Sequence, residues 1–245
     1  MVKLLSGCYF QKIRNLEVQP LVAIRAMTRL VRNPDHTHEV FTIIRALSGS
    51  DLEKGLKRFQ ATEVGKTVLR DRRQLTSILN DRNMLATLPP SSFGRAYLEF
   101  ITDEGLSADG LIEASEGEKK EPFTDADLML FAARQRDMHD LWHVLTQYGR
   151  DELGEACLLG FTYAQNRNRG VGFIALVGCL KLYRKYGFSA TRAIYRAFRD
   201  GRRAEWLPAQ DWERLLEQPL DSVRRELGIQ APKIYRDALP ANSLA

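Results

Sequence analysis

The sequence predicts an all-α fold, a multi-helix bundle forming a single domain over residues 1–245. Apolar residues recur at three- and four-residue spacing in segment after segment. No stretch keeps a period-two alternation, so no strand is expected. Capping Ser, Thr and Asp residues precede the apolar periods and glycines follow them, a helix length apart. With 44% hydrophobic and 27% charged residues, the chain has the composition of a globular protein rather than a disordered one.

In chain order, Pro20 suits the first turn of a helix to about Asn33, with Leu21, Ile24, Met27, Leu30 and Val31 on one face. Asp35 can cap the next, to about Leu47. His36 and His38 fall in its first turn, where a surface role is expected. Ser50-Asp51 opens a helix to about Gln60, and Thr62–Leu69 and Gln74–Leu79 read as short helical pieces. Leu88-Pro-Pro-Ser-Ser is a loop whose Ser91 or Ser92 caps a helix from Phe93 to about Asp103. Residues 103–122, rich in Gly, Asp, Glu and Lys, are expected to form a mobile surface loop.

Thr124 and Asp127 read as a capping box opening a helix that runs without Pro or Gly to Tyr148-Gly149. Asp151 then caps an antiparallel return helix, Glu152–Gln165. After a polar turn at Asn166–Gly170, Val171–Tyr186 is the most apolar helix of the chain. It suits either the core of the bundle or a lipid-lining, membrane-docking surface, with Lys181, Arg184 and Lys185 at its end. Gly187 stops it. Ser189 caps a helix to Arg199, Trp206, Pro208 and Trp212 open a short one to about Gln218, and Leu220–Leu227 is closed by Gly228.

Three scattered cysteines without a C-x-x-C pair argue against a disulfide framework and for a reducing compartment, with Cys157 a core thiol. The net charge is +5, and residues 167–236 hold fifteen Lys/Arg against seven Asp/Glu. No nucleic-acid motif accompanies this charge. An anionic membrane surface or a phosphate or carboxylate ligand explains it at least as well, and no nucleic-acid partner is expected. No apolar run reaches the length of a membrane span, and Met1–Leu16 lacks the apolar core of a secretory signal.

The chemistry concentrates in His139, Asp140, His143 and Glu155. The histidines are i and i+4, so both imidazoles can reach one ion. Asp140 is i, i+3 to His143, and Glu155 sits in the first turn of the return helix, opposite the histidine face. Two imidazoles and two carboxylates make a mixed N/O site for a divalent metal, zinc first, with iron or manganese as alternatives. The competing reading pairs Asp140 and Glu155 with Arg136 and Arg150 and needs no metal.

His-Asp-x-x-His followed after eleven residues by Glu resembles the signature of the coenzyme Q (ubiquinone) biosynthesis protein four family. Arg134-Gln-Arg-Asp-Met before it, Leu153-Gly154-Glu155 after it and Leu88–Tyr97 upstream agree, so that the likeness covers about residues 20–229. Leu159, Thr162 and Arg169 depart from the family's usual residues. The resemblance implies that His139, Asp140, His143 and Glu155 are the metal ligands and catalytic groups. It implies removal of the ring carboxylate from a polyprenylated 4-hydroxybenzoate-derived intermediate, simply or coupled to hydroxylation. It also implies other quinone-biosynthesis proteins as partners, and a peripheral place on the inner face of a bacterial membrane, or the matrix side of the mitochondrial inner membrane in a eukaryote. A homo-oligomer is compatible with this.

Within that expectation Arg134 and Arg136 are candidates to meet the substrate carboxylate, or else form ion pairs with Asp137 or Asp140. Phe173 and Val177 are candidates to line the groove for the prenyl tail. Two rivals stand beside it. One is a non-catalytic prenyl-lipid-binding scaffold with a structural metal. The other is a metal-dependent phosphohydrolase that would need His36 or His38 near the His139 cluster.

Overall fold

About half of the helix starts follow a side chain that accepts one of the first free backbone N–H groups. The computed structural model describes residues 18–33, 36, 38–105 and 125–239, and its regular elements are all helices. Among the described residues the only β-type pairing is the isolated bridge between Ser92 and Pro219. The all-α expectation holds.

Helix α1 (Pro20–Arg32) starts at its proline, and α2 (His38–Ser48) follows; the expected cap Asp35 lies outside the described residues. Then come α3 (Asp51–Gln60), α4 (Glu63–Arg70), α5 (Leu75–Leu79), α6 (Arg82–Thr87) and α7 (Phe93–Asp103). Thr62 caps α4, and Ser92 rather than Ser91 caps α7. α6 was not expected; Asp81 caps it by accepting from Met84 N–H.

The long helix expected from Thr124 to Tyr148 is two helices, α8 (Ala126–Asp137) and α9 (His139–Thr146), joined at Met138. Thr124 lies outside the described residues, as does the expected loop beyond residue 105. Asp125 caps α8, its Oδ1 accepting from Asp127 and Leu128 N–H. Next are α10 (Glu152–Asn166), α11 (Arg169–Tyr186) and α12 (Phe188–Arg203). Asn168 caps α11, which starts at Arg169, two residues before the expected start. Gly187, at φ +61°, turns the chain directly into α12, so Ser189 is inside that helix rather than its cap. The segment expected as one helix to Gln218 is a 3-10 turn, Leu207–Ala209, and a short α13 (Trp212–Leu215). α14 (Leu220–Glu226) and an unexpected α15 (Lys233–Ala238) complete the series.

Three buried apolar clusters form. The largest joins α5, α7, α9, α10, α12 and the C-terminal helices, with Trp142, Phe161 and Trp212 among its largest side chains. The second packs α1 and α2 on Ile174 of α11. The third joins α3, α4 and α8. Cys157 is fully buried in the first, as expected of a core thiol, and burial pushes its pKa up. α10 packs on both α11 and α12, and α9 lies against α7, which brings the His139–His143 segment onto a rigid frame.

Candidate metal centre

α9 carries both histidines. Its first residue follows Met138, which is buried and whose Sδ accepts the Trp212 indole N–H at 2.6 Å. One helical turn separates His139 from His143, and their Nε2 atoms lie 3.2 Å apart with the rings edge to face. Gln147, at φ +61°, ends α9, and the chain returns through Tyr148–Asp151 into α10. Glu155, in the first turn of α10, places Oε1 3.5 Å from His143 Nε2 and Oε2 3.8 Å from His139 Nε2. One donor atom from each residue fits within 4.8 Å of the others. Around a tetrahedral ion with bonds of about 2.0–2.2 Å, donors sit about 3.3–3.6 Å apart; the imidazole pair and each closest carboxylate approach lie near that, and a small turn of the Glu155 carboxylate would bring one oxygen to both histidines.

The surroundings favour that use. His143 Nδ1–H donates to Tyr148 O at 2.8 Å, which leaves the Nε2 lone pair facing the other donors. Phe100 of α7 stacks on the His143 ring at 5.7 Å. His143 is buried, whereas the His139 and Glu155 side chains are 35% and 36% exposed, so one side of the cluster is open. Burial, helped by the neighbouring His143, depresses the His139 pKa toward the neutral donor form. Burial also works against a charged His143, but its hydrogen bond to Glu155 and that group's charge outweigh it and raise the pKa. For Glu155 burial favours the neutral acid; the His143 hydrogen bond and charge overcome it and hold the carboxyl below its usual range. An imidazolium–carboxylate pair is thus the proton-loaded form of the cluster, and a divalent cation would displace that proton.

A sequence profile described as "Coenzyme Q (ubiquinone) biosynthesis protein Coq4" matches residues 10–233. The chain belongs to the Coq4 family. Among its relatives, the mitochondrial ubiquinone biosynthesis protein COQ4 of Podospora anserina is 29% identical over 184 residues, covering 72% of this chain and 57% of that protein. The Bos taurus homolog is 28% identical over 206 residues, covering 83% and 76%. The chain therefore spans somewhat over half of the Podospora protein. A crystal structure from Nostoc punctiforme, provisionally described as a ubiquinone biosynthesis protein, superposes with a TM-score of 0.67 at 20% identity. It covers 87% of this chain and 98% of that one, and so shares the fold.

Not every residue expected in the Coq4 site joins it. Asp140 is buried but is not in the three-residue cluster. A step of about 100° per residue carries it round the helix from His139. Its charge acts on both histidines and on Tyr97 of α7. Arg134 does not face the site at all. Its guanidinium is 1% exposed and donates through both Nη atoms to Glu213 of α13, at 2.9 and 2.7 Å. Arg136 donates to Asp137 at 3.0 Å, one of the ion pairs weighed for it.

Arg150 is the cation that does reach the cluster. Its Nε lies 3.8 Å from Glu155 Oε1 and its Nη1 3.7 Å from Glu104 Oε2, with 36% of the side chain exposed. The sequence suggested it only as a structural partner of Glu155; its place in the turn between the two ligand helices was the available signal. His36 approaches Asn33 and His38 approaches Glu39, and neither joins the cluster, which removes the arrangement a phosphohydrolase would need. Phe173 lines a groove of about 310 Å³ with Ile24, Met27 and Val31, and Val177 packs against the neighbouring apolar cluster. None of the three donors lines that groove.

Proposed function

We propose that this chain acts in ubiquinone biosynthesis, removing the ring carboxylate from a polyprenylated 4-hydroxybenzoate-derived intermediate with a divalent metal held by His139, His143 and Glu155. The observation that carries this reading is the convergence of two imidazoles and one carboxylate, open on one side, in a Coq4-family chain. Three protein donors leave a position for substrate, which favours catalysis over a structural metal with a filled sphere. Zinc is the first choice. The same two-histidine, one-carboxylate set also suits iron, with manganese a further alternative.

A cation there would supply Lewis-acid stabilisation of charge developing on a substrate oxygen, and iron could add dioxygen chemistry that zinc lacks. The chain's own groups do the rest. The Tyr148 carbonyl holds the His143 imidazole in one orientation. Phe100 shields that ring from water. Arg150, rather than Arg134 or Arg136, meets the substrate carboxylate by a charge-assisted hydrogen bond. Asp140 is retained as a nearby negative charge that supports the histidines.

The prenyl tail needs apolar surface. α11 exposes Leu176, Leu180 and Tyr183 beside Lys181 and Arg184, which supports peripheral docking on an anionic membrane face. No helix among the described residues is long and apolar enough to cross a membrane. Other quinone-biosynthesis proteins are the proposed partners. His143→Ala should lose its bound metal on elemental analysis. In cells lacking the native gene it should fail to restore ubiquinone, with a carboxylated prenylated aromatic accumulating by mass spectrometry. Wild-type metal content and quinone output from that variant reject the proposal.

A further inference from the structure

The turn that joins the two ligand helices is fastened from outside by the last helix. Tyr235 of α15, 5% exposed, sits over it. Its hydroxyl donates to Asp151 Oδ2 and accepts from Gly149 N–H at 3.0 Å. Its ring meets Tyr148 edge to face at 5.5 Å. A side chain at 149 would push on this contact, since a Cβ would lie 2.8 Å from the Tyr235 hydroxyl and 2.9 Å from Asp151 Oδ2. Beside it, Arg236 donates to the Gln147 side-chain carbonyl, and Gln147 is the positive-φ residue that ends α9.

Each contact leads to a donor. The Tyr148 carbonyl sets the orientation of His143. Asp151 Oδ1 accepts from Leu153 and Gly154 N–H at 3.0 and 3.1 Å and so fixes the first turn of α10, where Glu155 stands. Asp151 thus uses one carboxylate oxygen to start the ligand helix and the other to accept from Tyr235.

We propose that Tyr235 is a positioning residue of the centre, holding His143 and Glu155 in register through Tyr148 and Asp151. This rests on the metal reading above. It goes beyond the family match, which ends at residue 233. Outer-shell groups of this kind typically change metal affinity about 10–100-fold when removed.

The test is titration of purified full-length protein with cobalt(II) alone, reading affinity by chelator competition and coordination by the visible absorption bands. Tyr235→Phe keeps the ring on Tyr148 and loses only the hydroxyl. It should weaken cobalt binding about tenfold or more and shift the bands. Asp151→Ser keeps a capping oxygen but cannot span to Tyr235, so it should give the same shift and supply the test if Tyr235→Phe fails to fold. The double variant should be no worse than either single one. Ile43→Ala, in the separate α1–α2 cluster, should lower stability and leave affinity and bands unchanged. Wild-type affinity and bands in both turn variants overturn the Tyr235 role and leave the centre standing. A wild-type chain that takes up no cobalt overturns the centre and this inference together.

Discussion

A guanidinium that is almost wholly buried needs its counter-charge. Arg134 has Glu213, which Arg73 also contacts at 2.9 Å. Removing one member of such a pair leaves an uncompensated charge in a poorly polarisable place, whereas replacing both by apolar groups can be nearly neutral. Glu213→Ala should therefore lose about 3 kcal/mol in urea unfolding, with the slope unchanged. Arg134→Met combined with Glu213→Leu should recover most of it. A loss below about 1 kcal/mol for Glu213→Ala would show that Arg134 finds another partner or water, and its burial would need a different account. The pair also shows what residue spacing can and cannot reveal. His139, His143 and Glu155 were legible because helical period and a cap at Asp151 put them on facing turns. For Arg134 an ion pair was legible as one alternative but its partner was not, because Glu213 is 79 positions away and local spacing carries no information at that range. Asp140 stands outside the three-donor cluster although its spacing to His143 is that of neighbours on a helix, because which way a short side chain points depends on what packs behind it.

At the scale of elements, the start of α10 depends on the absence of a side chain at Gly154. A Cβ there would overlap the carbonyl oxygen of Gly149, a backbone atom of the turn that cannot move aside alone. Helix propensity by itself would favour alanine over glycine by about 1 kcal/mol. Steric overlap of this kind costs about 1–3 kcal/mol and should win. Gly154→Ala is expected to destabilise the protein by about 1 kcal/mol net and to lower its metal content, because α10 must shift and Glu155 shifts with it. A variant as stable and as metal-loaded as wild type would refute the close approach. Most helices were readable from period and caps, as α1, α3, α7 and α10 show. The break at Met138 was not, because the apolar period runs on from Phe131 through Met138 to Leu141 and Met138 itself keeps a right-handed helical conformation. α6 and α15 were missed because six residues hold too few apolar positions to display a period, and their stability comes from what they dock on.

At the scale of the molecule, shared helices tie apolar clusters together, and one buried amide fastens two helices of the main cluster. α11 contributes Ile174 to the α1–α2 cluster and Leu182 to the main one, so neither can melt without exposing the other's surface. α8 carries Leu128 and Phe131 into the third cluster and leads through buried Met138 directly into α9. Gln165, 5% exposed, bridges the ends of α10 and α12: its Nε2 donates to Gly201 O and Glu205 O, and its Oε1 accepts from Leu207 N–H at 2.8 Å. These ties favour the single-domain expectation over separate units, and they predict one calorimetric transition whose measured enthalpy equals the van't Hoff value. Ile43→Ala, at a fully buried site, should cost about 2–5 kcal/mol and move that whole transition down. If instead a second, lower transition separates while the main peak stays in place, the α1–α2 layer is an independent unit. α11 would then be a boundary rather than a shared wall, and a groove lined by Phe173 could open without disturbing the turn that carries the candidate metal centre.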